Sequence, residues 1–217
     1  LDCPTLQLAN HHGLMIAGEA ALSNWDAGMD MYIYGKLGNL IMTKEGINVL
    51  MTNLTGKVPP ILQRLDYIRF NGEAAGYLHD LTLTGLFYTG AGMVKTDVMM
   101  SIDEQSMSRT YSGSVASADL DLGKLLNQEK KFGKVDFNVE LKGFNYKNRY
   151  PESYIKGIIS SFEYSQYQYE NIMLDGVYKD GGFNGRLSMD DANGSVQIDG
   201  NFNVVKTIPD FNLKASV

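Results

Sequence analysis

A short phrase keeps returning along this chain: an alternating apolar strand that ends in an aliphatic residue, one polar residue and a glycine. It occurs as Leu54-Thr55-Gly56, Leu83-Thr84-Gly85, Leu141-Lys142-Gly143, Leu174-Asp175-Gly176 and Ile198-Asp199-Gly200, at separations of 29, 58, 33 and 24 residues. The period is loose. Repetition at this scale predicts an extended β array that lengthens by adding strands, not a closed domain built around one catalytic site. An array makes a surface, and surfaces bind or conduct more readily than they catalyse. Glycine inside a strand marks a bulge or a close approach of backbones. Placed at the same point in several strands, it lets a sheet curve along one line into a trough.

The composition agrees with β structure. There are 23 Gly, 5 Pro and 13 Tyr in 217 residues, a mixture that suits strands joined by tight turns. Hydrophobic residues make up 44% and charged residues 20%, which excludes wholesale disorder. The net charge of −6 gives nucleic-acid binding no electrostatic support. The densest basic stretch, Lys130-Lys131-Phe132-Gly133-Lys134, reads as a solvated turn. The single cysteine, Cys3, cannot form an internal disulfide. Leu1-Asp2-Cys3 has a superficial likeness to a lipoprotein cleavage site, but no charged or apolar leader precedes it. No apolar run reaches the roughly 18–20 residues that span a bilayer. The opening at Leu1 and a final strand that stops mid-pattern are read as the ends of a piece excised from a longer protein, with any membrane anchor outside it.

Alternation begins at Thr5 and recurs through Leu14–Leu22 and Met29–Tyr34. Ile47–Leu54 is read as a further strand. Pro59-Pro60 then changes the rhythm, and Ile61, Leu62 and Leu65 predict a short helix. Strands are expected at Tyr67–Phe70, Gly76–Leu86, Met93–Ile102 and Ser108–Val115. Leu122, Leu125 and Leu126 give an apolar stripe for a second helix over 121–130, stopped by Gly133. Val135–Leu141 alternates most cleanly, with one apolar and one polar face. The last third reads as hairpins, with turns at Asp180-Gly181-Gly182 and Ala192-Asn193-Gly194 between Ile172–Tyr178, Phe183–Met189 and Ser195–Val204, and a closing strand from Phe211 to Val217. Residues 1–217 are therefore expected to form a single continuous, mostly-β unit, an extended and curved antiparallel trough with one or two short helices. Any subdivision would fall near 110–113.

No hydrolase elbow, P-loop or Cys/His cluster is present, and an enzyme is not expected. His11-His12 sits in a turn and makes a poor joint metal site. His79 beside Asp80 reads as a polar strand end. Asp190-Asp191-Ala192-Asn193-Gly194 starts like a calcium loop, but the twelfth position is Asn201, not Glu. No metal, cofactor or catalytic residue is expected. The run from Phe162 to Tyr169 carries three tyrosines that could stack on sugars or pair across strands. The 11 methionines suit an adaptable apolar surface or core filling.

Several phrases in a fixed order resemble the large TamB-like proteins of Bacteroides-type bacteria. They are Leu54 to Pro59, Arg64 to Gly72, Gly76 to Asp80 and Thr96-Asp97. Ser112 to Val115, Asp119 to Leu126 and Gly133-Lys134-Val135 are similar to the strand–helix–strand units of the wider AsmA-like superfamily. Tyr169 to Gly176 and Pro209 to Ala215 fit as well. The resemblance covers most of the chain, residues 1–50 least. It implies a periplasmic protein anchored at the inner membrane, with a long apolar β trough that serves outer-membrane biogenesis in Gram-negative bacteria. The family's C-terminal domain and N-terminal anchor are absent from this stretch.

The leading expectation is a segment of a lipid-conducting trough, carrying phospholipid or another acyl-chain ligand between membranes. The chains would lie against Leu81, Leu83, Val135, Phe137, Val139, Leu141, Ile172, Leu174, Val196, Ile198 and Phe202. Each methylene removed from water gains about 0.8 kcal/mol. The second expectation is a scaffold for outer-membrane β-barrel assembly or secretion, working through open strand edges and an outer-membrane barrel of the Omp85 type. The third is a surface adhesin or glycan-binding module using the tyrosines near residue 164.

Overall fold

The computed structural model describes every residue except 25, 104, 107, 146–151, 181, 193, 204–209 and 217, and the side chains at 54, 55, 202, 203, 210–213 and 215 are also outside the description. Gly181, Asn193, Val204, Pro209 and Val217, used in the sequence reading, therefore lie outside the described residues.

The strands are β1 (Asp2–Ala9), β2 (Leu14–Ser23), β3 (Tyr32–Thr43), β4 (Tyr67–Tyr77), β5 (Asp80–Thr89), β6 (Gly92–Ile102) and β7 (Arg109–Ala118), followed by the two-residue β8 (Leu120–Asp121). Then come β9 (Phe132–Asn145), β10 (Glu152–Tyr164), β11 (Tyr167–Lys179), β12 (Gly182–Asp191), β13 (Gly194–Asn203) and β14 (Asp210–Ser216). The helices are α1 (Lys44–Thr55), α2 (Pro60–Gln63) and α3 (Leu122–Leu126). All strands but β8 follow chain order in one antiparallel sheet that does not close, and β8 pairs with β9 at its side. The expected dividing point near 110–113 falls inside β7, which pairs with β6 and β9.

Two-residue turns join several neighbouring strands. Tyr77 pairs with Asp80 around Leu78-His79, so the strands expected at Tyr67–Phe70 and Gly76–Leu86 are one longer hairpin. Ser165 and Gln166 both take positive φ, 51° and 68°, and close the β10–β11 hairpin. The run from Phe162 to Tyr169 is thus a hairpin end, with Phe162 opposite Tyr169 and Tyr164 opposite Tyr167.

Three glycines of the returning phrase, Gly85, Gly176 and Gly200, sit in register with other glycines, whereas Gly143 faces Tyr111 and Ser153. Gly72 faces Gly85, and Gly176, Gly185 and Gly200 form one line across β11, β12 and β13. A Cβ on Gly85 would stand 2.8 Å from the Gly72 Cα, and one on Gly176 would stand 2.8 Å from the Gly185 Cα. Only glycine permits so close an approach.

Two sequence expectations are corrected. Ile47–Leu54 is not a strand but most of α1. The Thr43 hydroxyl accepts the Gly46 amide, Gly56 ends the helix at φ 73°, and its amide donates to the Thr52 carbonyl. Leu54-Thr55-Gly56 therefore shares its letters with the strand phrase but is a helix terminus. The helix expected over 121–130 ends at Leu126, because Asn127 turns left-handed at φ 57°. Gly133, expected as the stop, lies inside β9.

The core lies where the helices meet the sheet. Ile47 of α1, Leu65, Ile68 of β4, Ala91, Leu120, Leu125 of α3 and Val135 of β9 pack together, with Phe87, Val94, Phe137, Ile159 and Phe162 around them. Lys124 reaches across to Asp66 at 2.6 Å and to the Gly90 carbonyl at 3.0 Å, tying α3 to the turns beneath it.

Candidate functional site

Alternation along each strand and the register between strands define two faces. The core side chains mark the inner one. Along it, residues opposite one another run from Ala20 through Gly35, Ala74, Leu83, Val98 and Gly113 in unbroken pairing. The same line continues through Leu141, Ile155, Gly176, Gly185 and Gly200. Among the described inner positions from β2 to β13, the only Asp, Glu, Lys or Arg residues are Arg109 and Asp191, both at strand ends. Such a face offers acyl chains contact without competing for their position through hydrogen bonds.

All eleven residues named from the sequence occupy inner-face positions, so the fold brings them to one side of the sheet. They differ in what lies over them. Val135 (6% exposed) belongs to the core under α3, Phe137 packs against that core, and Ile172 is 7% exposed. Leu81, Leu83, Val139, Leu141, Leu174, Val196 and Ile198 are half-buried, although the helices pack only at the β3, β4 and β9 end and no second sheet covers them. Exposure does not separate the faces cleanly: Met173 and Met99 on the other face are 56% and 46% exposed, and Met100, an inner position opposite Leu81, is 40% exposed. Phe202 holds an inner position opposite Phe183, and its side chain lies outside the described residues.

The sequence reading missed part of this surface. Strand β10 was not anticipated, yet Ile155, Gly157 and Ile159 face Leu141, Val139 and Phe137 and complete the inner face at its centre. The alternation Tyr154-Ile155-Lys156 was the available signal. One polar atom stands out within the face. The Thr96 hydroxyl, opposite Gly85 and Val115, is buried without a hydrogen-bond partner.

The outer face carries the charges, and they too are in line. Glu19, Lys36 and Glu73 pair across β2, β3 and β4. Further along, Glu140, Lys156, Asp175, Arg186, Asp199 and Lys214 stand directly opposite one another from β9 to β14. Arg186 Nε is 2.8 Å from Asp199, and Lys156 Nζ is 3.7 Å from Asp175. The hydrogen bonds from Gln197 and Arg186, with Lys214 nearby, hold the Asp199 carboxyl below its ordinary value, and Asp199 raises Arg186.

No family model, curated protein or solved structure matches this chain.

The remaining sequence candidates have structural employment. His12 Nδ1 lies 2.8 Å from Glu45 and fastens the β1–β2 turn to α1. His79 pairs with Asp30 at 3.6 Å and with the Met29 carbonyl at 2.9 Å, not with Asp80. No cluster of His, Cys, Asp and Glu suited to a metal occurs among the described residues. No described helix is long and apolar enough to cross a membrane. A shallow hollow of about 590 Å³ lies on the outer face, lined by Met99, Lys142, Phe144, Glu152 and Tyr154 among others. It is open to solvent, and the Tyr154 hydroxyl donates to Asp175 at 2.7 Å. The hollow is local, whereas the inner face is longer and continuous and carries charge only at its ends. For a long apolar ligand, continuity outweighs enclosure.

Proposed function

We propose that this chain is a stretch of a lipid-conducting β trough, of the kind its TamB-like and AsmA-like resemblance implies, working in the periplasm with phospholipid or another acyl-chain ligand. One observation carries the reading: an inner face free of charge between its ends, running across strand after strand, with helices over only part of it. A sliding ligand needs such a surface. A fixed clamp would hold it, and a filled core would exclude it.

The packing decides where to probe. Phe137 leans on the core, so Phe137→Glu would damage the fold together with any lipid site. Leu83 and Leu174 lie away from the helices. Native mass spectrometry with lipid extraction on chain produced in a Gram-negative host should find co-purifying phospholipid, diminished at least several-fold in Leu83→Glu and Leu174→Glu while circular dichroism is unchanged. Lipid retained in both folded variants would sink the proposal.

The assembly-scaffold reading draws support from a different feature, the layout of the array as a single sheet that does not close among the described residues, because augmentation needs open backbone more than inward side chains. It predicts that client strands bind Leu83→Glu undiminished. The glycan reading has less to work with: Tyr164 packs near Phe132 at 5.3 Å, and the Tyr167 hydroxyl donates to Asp191.

A further inference from the structure

We infer that Arg109 is the headgroup contact of the trough. It holds the phosphate of a phospholipid at the margin opposite the helices, while the acyl chains lie along the inner face toward them. The inference rests on the lipid-conducting reading and deepens it, because it states which amphiphile the face takes and which way round.

The inner face is apolar along its middle and different at its two margins. One margin is where β4 and β9 begin. There α1, α2 and α3 lie over the sheet, and Ile47, Leu65, Leu120 and Leu125 close the core. The charge at that margin, Asp191, already accepts a hydrogen bond from the Tyr167 hydroxyl at 3.0 Å. The opposite margin is polar. Arg109 opens β7 directly across from Asn145, the last residue of β9. At the next inner positions Tyr111 lies across Gly143, where a Cβ would collide with its ring, and its hydroxyl is hydrogen-bonded to that of Ser153. Below them come Gly113, Leu141 and Ile155, and then Val115, Val139 and Gly157, with no polar side chain among them. Polar margin above apolar rows is the order of groups in a phospholipid.

The dimensions agree. Ser117, bonded to the Val135 carbonyl at the helix margin, lies six positions beyond Tyr111 on β7, or about 20 Å at the rise of a strand. An acyl chain spans half of the roughly 30 Å hydrocarbon core, about 15 Å, and fits between them along the strands.

Arg109 is also available. It is exposed, and its guanidinium has no ion pair or hydrogen bond among the described residues. Two carboxylates at the same margin are engaged elsewhere. Asp103 accepts from the Ser106 amide and hydroxyl, both at 2.7 Å, and Glu152 lies 2.7 Å from Lys179. A guanidinium fork suits two phosphate oxygens at once. An exposed margin leaves the remaining oxygens in water, which a site deep in the apolar face would not.

The test offers the delipidated chain an equimolar mixture of phosphatidic acid and diacylglycerol with the same acyl chains, so that only the phosphate differs. Native mass spectrometry reads the bound ratio. The wild type should favour phosphatidic acid by roughly threefold or more. Arg109→Gln should bring the ratio close to one, with lipid still bound and circular dichroism unchanged. Arg109→Lys keeps the charge without the fork and should restore part of the preference. A wild type that takes both lipids equally, or an Arg109→Gln variant that keeps the preference, would overturn the inference and leave the trough standing. Loss of the preference in excess inorganic phosphate at matched ionic strength would assign Arg109 to free phosphate and overturn it as well. Uptake of neither lipid by the wild type would overturn the trough reading itself.

Discussion

At the scale of single residues, the informative positions are those where a local rule is broken. The Thr96 hydroxyl is buried in the apolar face with no partner. An unsatisfied buried polar group costs about 1–3 kcal/mol, and Val keeps the shape while removing it. Thr96→Val should therefore raise the urea midpoint, by an amount equivalent to about 1 kcal/mol. A lowered midpoint would mean that the hydroxyl has a bound partner, which on this face would point to ligand. Gly113 takes φ 141°, and a Cβ there would run into the Asp97 carbonyl of the neighbouring strand. Gly113→Ala should cost about 1–3 kcal/mol, measurable in the same titration. Asp66 titrates below its ordinary 3.8, chiefly because Lys124 donates a hydrogen bond to it. A depressed carboxyl contributes stability above its unfolded value, and that contribution is lost as pH falls through the folded one. The loss therefore sets in below about pH 4. Because Asp66 is exposed, salt should shrink the effect, and Lys124→Met should flatten the acid limb of a melting-temperature profile without reversing it.

At the scale of elements, α1 bears most on the fold. Ile47 is 2% exposed, so Ile47→Ala should destabilise by about 2–5 kcal/mol, read from chemical denaturation. The same helix shows how far sequence carries. Strands such as Val135–Leu141 were legible because a half-buried strand repeats every two residues and one face is uniformly apolar. Ile47–Leu54 centres on the apolar run Val49-Leu50-Met51, and a short run of that kind reads equally as a buried strand. The spacing Ile47, Leu50, Met51, Leu54 was present and favours a helix, but the ending Leu54-Thr55-Gly56 copied the strand phrase. A glycine at a left-handed helix end and a glycine at a strand contact answer different needs with the same residue. Strand β10 escaped for another reason. Its polar positions include Tyr154 and Ile158, both exposed and apolar in body, so its alternation was blurred. Of the inner face, the apolar positions Leu83, Leu141 and Leu174 were readable from alternation. Which members lie under the helices was not, because that depends on contacts between segments far apart in sequence.

At the scale of the whole molecule, the decisive property is that each strand touches its neighbours and little else. The close contacts of the helices reach β3, β4 and β9, and the sheet otherwise has no second layer. Stability then approximates a sum of nearest-neighbour terms, as in repeat proteins, and not one cooperative core. The consequence is a gradient. Hydrogen exchange should be slowest in β4 and β9, where Ile68 and Val135 lie in the shared cluster, and should quicken toward β1 and β14, which have one neighbour each. A globular β domain of similar size would protect its central strands to one common global value. Uniform protection from β2 to β13 would therefore contradict the array description, and with it the idea that a ligand can displace local contacts without unfolding the rest.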